Sequence, residues 1–353
     1  MRPLLCLGAA LVCGAVAASP PPRFPPNAVW HRDISAAPLH PDSGAMLQSL
    51  SNLGGWGNGN KFQIDLSLHV LNDPGGTAPM IDIVPNPEEY YTGACDNHAD
   101  AARTFPLPAG GAIEGQNGYS CDNLCADDSC DDCHLLVVRG RILYEAYSSN
   151  VVNNTLVTRC AVRWDLDRVY PPEGRGDQCT SADAAGFPIA PLLFNADEVQ
   201  AAVNANGDLG HAIRFILPNP RMAAATFVHP ATHGGAPSGP STTVPYGVRM
   251  RLKSSFNMAN YNAAGKVLLR TMQRYGIVLA DGGNIAVTGE SDAFTTAKWA
   301  TLGVTTVMFN PGVGNPPVTV NDFEIIQTGA RIPLTYNCVR TPEDFLFIDH
   351  FQY

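Results

Sequence analysis

The chain predicts a mainly β fold, a β-sandwich or jelly-roll-like core carrying two or three short helices and long disulfide-linked loops. Three observations predict it. Apolar residues recur mostly with the period of a strand. Glycine and proline are abundant, 33 and 29 residues, while charged side chains make up only 15%. Cysteines lie in or beside two long irregular stretches, 85–133 and 167–194, where loops of that length need cross-links or a function.

Residues 1–18 read MRPLLCLGAALVCGAVAA, a positive charge at Arg2, an apolar run and small residues suited to cleavage after Ala17 or Ala18. This is the layout of a secretory signal peptide, and the run is shorter than the roughly 20 residues of a membrane helix. The mature chain is therefore expected to be secreted. Residues 19–27 form a proline-rich lead-in, 28–326 a single β-rich domain with a Cys-rich insert at 95–133, and 327–353 a tail tied down by Cys338.

Phe62 to Leu68 alternates strictly, as a half-buried strand does. His134 to Val138 and Ile142 to Tyr147 are apolar runs joined by Arg139-Gly140-Arg141, a tight hairpin. Val157 to Leu166, Ala212 to Leu217, Val248 to Leu252, Gly276 to Leu279 and Asn284 to Val287 read as further strands. Three segments read as helices. Asp197 to Asn204 follows a cap at Asn195; Asn262 to Tyr275 places Val267, Leu268, Met272 and Tyr275 near one face and stops at Gly276; Phe294 to Leu302 is the shortest.

With 32 acidic and 22 basic side chains the chain carries a formal charge of −10, one unit more negative once Arg2 is removed. Such a surface repels phosphates and anionic headgroups, which excludes nucleic acid and membrane insertion as expected partners. Eight cysteines outlast the signal peptide: Cys95, Cys121, Cys125, Cys130, Cys133, Cys160, Cys179 and Cys338. Their even number in an exported chain implies up to four disulfides of unspecified connectivity, with Cys160–Cys179 one candidate pair. The Cys121-x3-Cys125-x4-Cys130-x2-Cys133 run before His134 also resembles a zinc cluster, but holds one CxxC where such sites use two. No cofactor is required by any motif; Asp127, Asp128 and Asp131, with Asp122 and Asp132, are candidate calcium ligands or a solvated acidic loop.

The motifs of serine-hydrolase elbows, P-loops, dinucleotide folds and HExxH metalloproteases are absent. What remains is a set of carboxylates, histidines and arginines. Asp183 sits among small residues of Thr180 to Pro191, where a carboxyl has a raised pKa suited to a general acid; the alternative is a turn or helix cap. Asp281 is a second acid of the pair or the turn residue its glycines imply. Glu145 shares a strand face with Leu143 and Tyr147, either exposed or inward and acidic. His211 and Arg214 open one strand, and His229 and His233 flank Pro230. Arg249 and Arg251 project to one face, placed to hold a carboxylate or to pair with surface acids. His229 and His233 are the remaining candidates for substrate binding, or for a metal.

Phe24-Pro25-Pro26-Asn27 with Trp30 and Asp33-Ile34-Ser35, Thr180 to Gly186, Gly210 to Phe215, Arg249 to Phe256, and Arg274-Tyr275-Gly276 to Asp281 together resemble a family of secreted bacterial β-rich proteins associated with polysaccharide-active or carbohydrate-binding proteins. The resemblance spans roughly 24–326 and implies an extracellular role. The leading expectation is a glycoside hydrolase with Asp183 and Asp281, or Glu145, as the acid/base pair and His211 and Arg214 positioning a polysaccharide. Alternatives are a lyase on uronate polymers, with an arginine neutralising the carboxylate and His211 or a tyrosine as base, and a non-catalytic glycan-binding or surface protein.

Overall fold

Strands outweigh helices, 27% to 19% of the described residues, and they form four separate sheets. The structure, a computed structural model, describes residues 22–85, 94–96, 104–121 and 132–340. The expected signal peptide, Cys125, Cys130, Asp122, Asp127, Asp128 and Asp131 lie outside the described residues.

In chain order the strands are β1 (Ile64–Leu68), β2 (Val70–Asp73), β3 (Met80–Pro85), β4 (Thr104–Pro106), β5 (Leu135–Arg139), β6 (Ile142–Tyr147), β7 (Asn150–Val152), β8 (Thr155–Thr158) and β9 (Cys160–Asp165). They continue as β10 (Ile213–Leu217), β11 (Met222–Phe227), β12 (Val244–Tyr246), β13 (Arg249–Leu252), β14 (Ile277–Gly282), β15 (Val287–Glu290), β16 (Phe323–Ile325) and β17 (Ile332–Pro333). The helices are α1 (Ser43–Asn52), the single turn α2 (Gly57–Asn60), α3 (Ala196–Asn204), α4 (Ala263–Arg274) and α5 (Trp299–Leu302).

A six-stranded sheet runs β1-β15-β10-β14-β13-β16; two four-stranded sheets run β2-β5-β6-β9 and β4-β3-β8-β7; β12-β11-β17 is the smallest. Each sheet contains a parallel pair: β1/β15 and β10/β14, β2/β5, β3/β8, and β11/β12. A jelly roll is built from antiparallel ladders, so the expectation of a mainly β chain stands while these mixed sheets differ from that topology. Parallel neighbours need long crossovers, and the long irregular segments supply them.

The hairpin β5–β6 forms where the Arg139-Gly140-Arg141 turn predicts, with Gly140 at φ 60°. Its run Leu135-Leu136-Val137-Val138 is buried throughout because the sheet has a core on each face. Leu136, Val138 and Leu143 enter the main core, whereas Leu135, Val137 and Tyr144 enter a second core with Ile81, Phe105 and Leu156 of the neighbouring sheet.

Helix α4 begins at Asn262, whose Oδ1 accepts the Gly265 amide at 2.7 Å, and ends before Gly276 at φ 74°. A Cβ at Gly276 would lie 2.5 Å from the Met250 carbonyl, so only glycine closes this helix against β13. Asn195 caps α3 by accepting the amides of Asp197 and Glu198. The expected strand at Asn284 to Val287 is displaced to β15, after a bend at 283–286. The expected helix at Phe294 to Leu302 is broken. Asp197 takes the amides of Thr296 and Ala297, which a helix would have sent to its own carbonyls, leaving a 3-10 turn at Asp292–Phe294 and the short α5.

The disulfides among the described residues are Cys95–Cys160, Cys121–Cys133 and Cys179–Cys338. The suggested Cys160–Cys179 pair is therefore wrong: Cys160 faces the insert, and Cys179 takes the tail, as expected for Cys338. This last bridge closes 159 residues, and the chain-entropy argument allows it up to about 5 kcal/mol. In Cys338→Ala, thermal stability is expected to fall and limited proteolysis to cut the 327–340 segment first. Unchanged protection of that segment would contradict the assignment.

Candidate functional site

Arg214 lies on the central strand β10 and is held on three sides. Its Nε is 3.4 Å from Asp183 Oδ2, its Nη2 3.3 Å from Asp281 Oδ2, and its Nη1 3.0 Å from Thr288 Oγ1. The register explains how these residues meet. Residues paired across a ladder point to the same face, and successive residues alternate. Phe215 pairs with Leu279, but Ile216 pairs with Asp281, so Ala280 is passed over as a bulge. The bulge transfers Asp281 from the Phe215 face to the Arg214 face. Thr288 reaches that face because its neighbour Val287 sits opposite Phe215.

Asp183 arrives on the loop between β9 and α3. The carbonyl of the bulged Ala280 accepts the Ala185 amide at 2.8 Å, which pins this loop to β14. Ser181 Oγ accepts the Asp183 amide and donates to the Phe187 carbonyl. Gly186, at φ 77°, has no room for a Cβ, which would lie 2.1 Å from Thr232 Oγ1. The Asp183 carboxyl is fully buried, and its Oδ1 has no hydrogen-bond partner among the described residues. Burial pushes its pKa well above the ordinary carboxylate range, beyond what Arg214 can offset, and the Asp281 charge adds to the rise. The capping alternative for Asp183 does not hold, since its side chain turns to Arg214.

Across this loop stands a second cluster. His134, just before β5, has Nδ1 2.6 Å from Glu114 Oε2 and Nε2 3.1 Å from the Ala182 carbonyl. Both ring nitrogens face acceptors, an arrangement that an imidazolium satisfies and a neutral ring cannot. Burial opposes the charge, but Glu114, Asp132 and Asp281 outweigh it and push the His134 pKa up to about 9. Glu114 is held below its ordinary range; burial works against this, and the His134 charge and the Ser67 hydroxyl prevail. The ring of Tyr147, opposite on β6, lies 5.3 Å from that of His134. Its hydroxyl bonds the Asp132 carboxyl, and burial with the charges of Asp132 and Asp281 raises its pKa. Asp132 is an exposed residue whose carboxyl is turned to Tyr147; desolvation and the neighbouring Asp281 and Glu114 raise its pKa. Asp132 and Asp281, the latter 24% exposed, are the more exposed carboxylates of the cluster, with Glu114 next at 19%.

The other candidates lie elsewhere. Glu145 is inward and fully buried, so its exposed alternative is excluded. It accepts the amides of Ile189 and Ala190 and the Trp164 indole N–H, fixing the loop beneath Asp183, and burial raises its pKa to about 7. It cannot meet a ligand there. His211 does not join Arg214: three residues apart on an extended run, they point to opposite faces. His211 instead meets Glu198 at 3.3 Å, and Glu198 pairs with Arg23.

Arg249 and Arg251 do share a face, but not for a ligand carboxylate. Arg249 donates to the carbonyls of Tyr275, Val29, Trp30 and Arg32, and Arg251 to those of Ile34, Ser35 and Ala37 and to Glu324. They staple segment 29–37 to the sheet, as irregular backbone packed on a sheet needs donors for its carbonyls. His229 pairs with Asp177 at 2.8 Å, and His233 Nδ1 lies 2.8 Å from the Ala184 carbonyl, so neither reaches the Arg214 cluster. Among the described residues no group of three or more His, Cys, Asp or Glu is placed to hold a metal.

Glu114 and Thr288 carry no sequence signal, and His134, named only beside the possible zinc cluster, and Tyr147, named only as a strand neighbour of Glu145, are not expected here. Only the hairpin carried a signal: its register places His134, Glu145 and Tyr147 on the same apolar face as Leu136 and Leu143, where polar groups need a reason. Fold and site together define a disulfide-linked, mainly β protein with a carboxylate–guanidinium–imidazolium centre between sheets. No protein-family model, curated protein or solved structure matches the chain.

Proposed function

We propose that the chain is a secreted carbohydrate-active enzyme that hydrolyses a glycosidic bond at the Asp132–Asp281 rim. The observation that carries this reading is that two partly exposed carboxylates stand in one electrostatic cluster with split surroundings. Asp281 is fixed by Arg214 and the Gly282 amide, while Asp132 is biased toward its protonated form. Separated environments of this kind are how acid and base roles are divided between two carboxyls. Asp132 gives its proton to the leaving oxygen as the C–O bond breaks. Asp281 takes a proton from the water whose oxygen bonds the anomeric carbon. Asp183 lies behind Arg214 as a positioning residue.

Export supports this reading through three disulfides, the chemistry of oxidising compartments. No helix of the described residues is long and apolar enough to cross a membrane. What supports a sandwich-like reading is the second core, shared by the β2-β5-β6-β9 and β4-β3-β8-β7 sheets. Kinship with exported bacterial β-rich proteins belongs to the same proposal. The test is reducing-end release from a polysaccharide panel. Asp281→Asn is expected to lower the rate by about 10²–10⁴-fold, the typical share of a positioned acid or base. Wild-type-like turnover in that variant, or new ultraviolet absorbance from unsaturated ends, would overturn hydrolysis by this pair.

A further inference from the structure

A cavity of about 760 Å3, lined by none of the Arg214 cluster's residues, lies beside Arg249 between segment 26–38, the 169–172 turn and the 326–329 segment. Its volume falls within the range of small-molecule sites. Apolar side chains, among them Val29, Ile34, Val169 and Ile326, make up much of its wall. The charged or titratable side chains lining it are Arg32, Arg249, His229 and Tyr170, and no carboxylate lines it. Two acids border it without lining it: Asp33 bonds Ser35 and Arg274, and Asp177 pairs with the lining His229.

Arg249 is the unusual group. It is only 6% exposed, and every bond described for it goes to a backbone carbonyl. Four carbonyls use four of its five N–H donors and supply dipoles but no countercharge. Burial and the adjacent Arg32 guanidinium lower its pKa from the ordinary arginine range, more than the charge of Asp33 offsets. Arg32 is exposed and makes no salt bridge among the described residues. A buried guanidinium, a second one at the mouth and apolar walls between them are complementary to an anion on an apolar body.

We infer that this cavity is a binding site for a small organic monocarboxylate with an apolar body, its carboxylate held between Arg249 and Arg32. The site is independent of the proposed hydrolysis, and its test does not use that activity. Calorimetric titration of the full chain with phenylacetate is compared with 2-phenylethanol, which keeps the apolar body and lacks the charge. Phenylacetate is expected to bind saturably, and 2-phenylethanol at least tenfold more weakly. In Arg32→Ala, whose exposed side chain is not part of the Arg249 staple, phenylacetate affinity is expected to fall at least tenfold with the melting temperature unchanged. Absence of saturable phenylacetate binding, equal binding of the alcohol, or unaltered affinity in Arg32→Ala would each overturn the assignment.

Discussion

Asp183→Asn is expected to leave the protein as stable as the wild type or more stable at pH 7, although it alters a fully buried residue bonded to a buried arginine. The reason is linkage. A carboxyl whose folded pKa lies well above its unfolded value costs stability as pH rises from the unfolded value toward the folded one. An amide of the same shape removes that cost. The advantage of the variant should therefore shrink toward pH 4, close to the unfolded value of 3.8, where little of that cost is left. Arg214→Met supplies the contrast. It leaves Asp281 without its cation and Asp183 without its partner, and removing one member of a buried charged group costs about 3–5 kcal/mol. Chemical denaturation at pH 4 and pH 7 reads both. A variant Asp183→Asn destabilised by several kcal/mol at pH 7 would show that the carboxyl is carried ionised.

The His134–Glu114 pair is expected to give the largest alkaline dependence of stability. A histidine raised from 6.5 to about 9 contributes fully below its unfolded pKa and loses that contribution as pH rises through about 9. The shift corresponds to a loss on the order of 3 kcal/mol. Glu114 has the opposite sign: its folded pKa is lowered, so its contribution is present above the ordinary glutamate value and is lost on acidification. Wild-type thermal stability should thus fall between pH 7 and pH 10. His134→Gln should be less stable at pH 7 and nearly flat over that interval. An equal alkaline slope in both proteins would place the titration elsewhere. Since His134 Nε2 holds the Ala182 carbonyl beside Asp183, the variant should also loosen that loop, measurable as faster amide exchange of Ala185.

Much of the site was within reach of the sequence and some was hidden for definite reasons. Asp183, Arg214 and Asp281 were singled out from composition and strand position, and they meet. Their meeting depends on the bulge at Ala280. Strict alternation would have put Asp281 on the wrong face of β14, and no local residue pattern marks that bulge. His211 and Arg214 open the same run, but their odd spacing separates them, and His211 meets Glu198 instead. Arg249 and Arg251 were correctly placed on one face, yet their partners are carbonyls of a segment more than 200 residues earlier. Glu114 lies in an irregular stretch without period, and nothing in its neighbours announces a histidine 20 residues on.

What the sequence alone determined is what short-range physics controls: the β5–β6 hairpin from its glycine turn, the α3 and α4 caps, the period-two strands, and the tail tied by Cys338. The tertiary structure decided sheet order, the parallel pairs, the disulfide partners and which polar side chains share a buried site. Turns, caps and alternation are set by neighbours a few residues apart. The Arg214 and His134 clusters exist because long-range packing brings groups together at a cost of desolvation that only mutual pairing can offset.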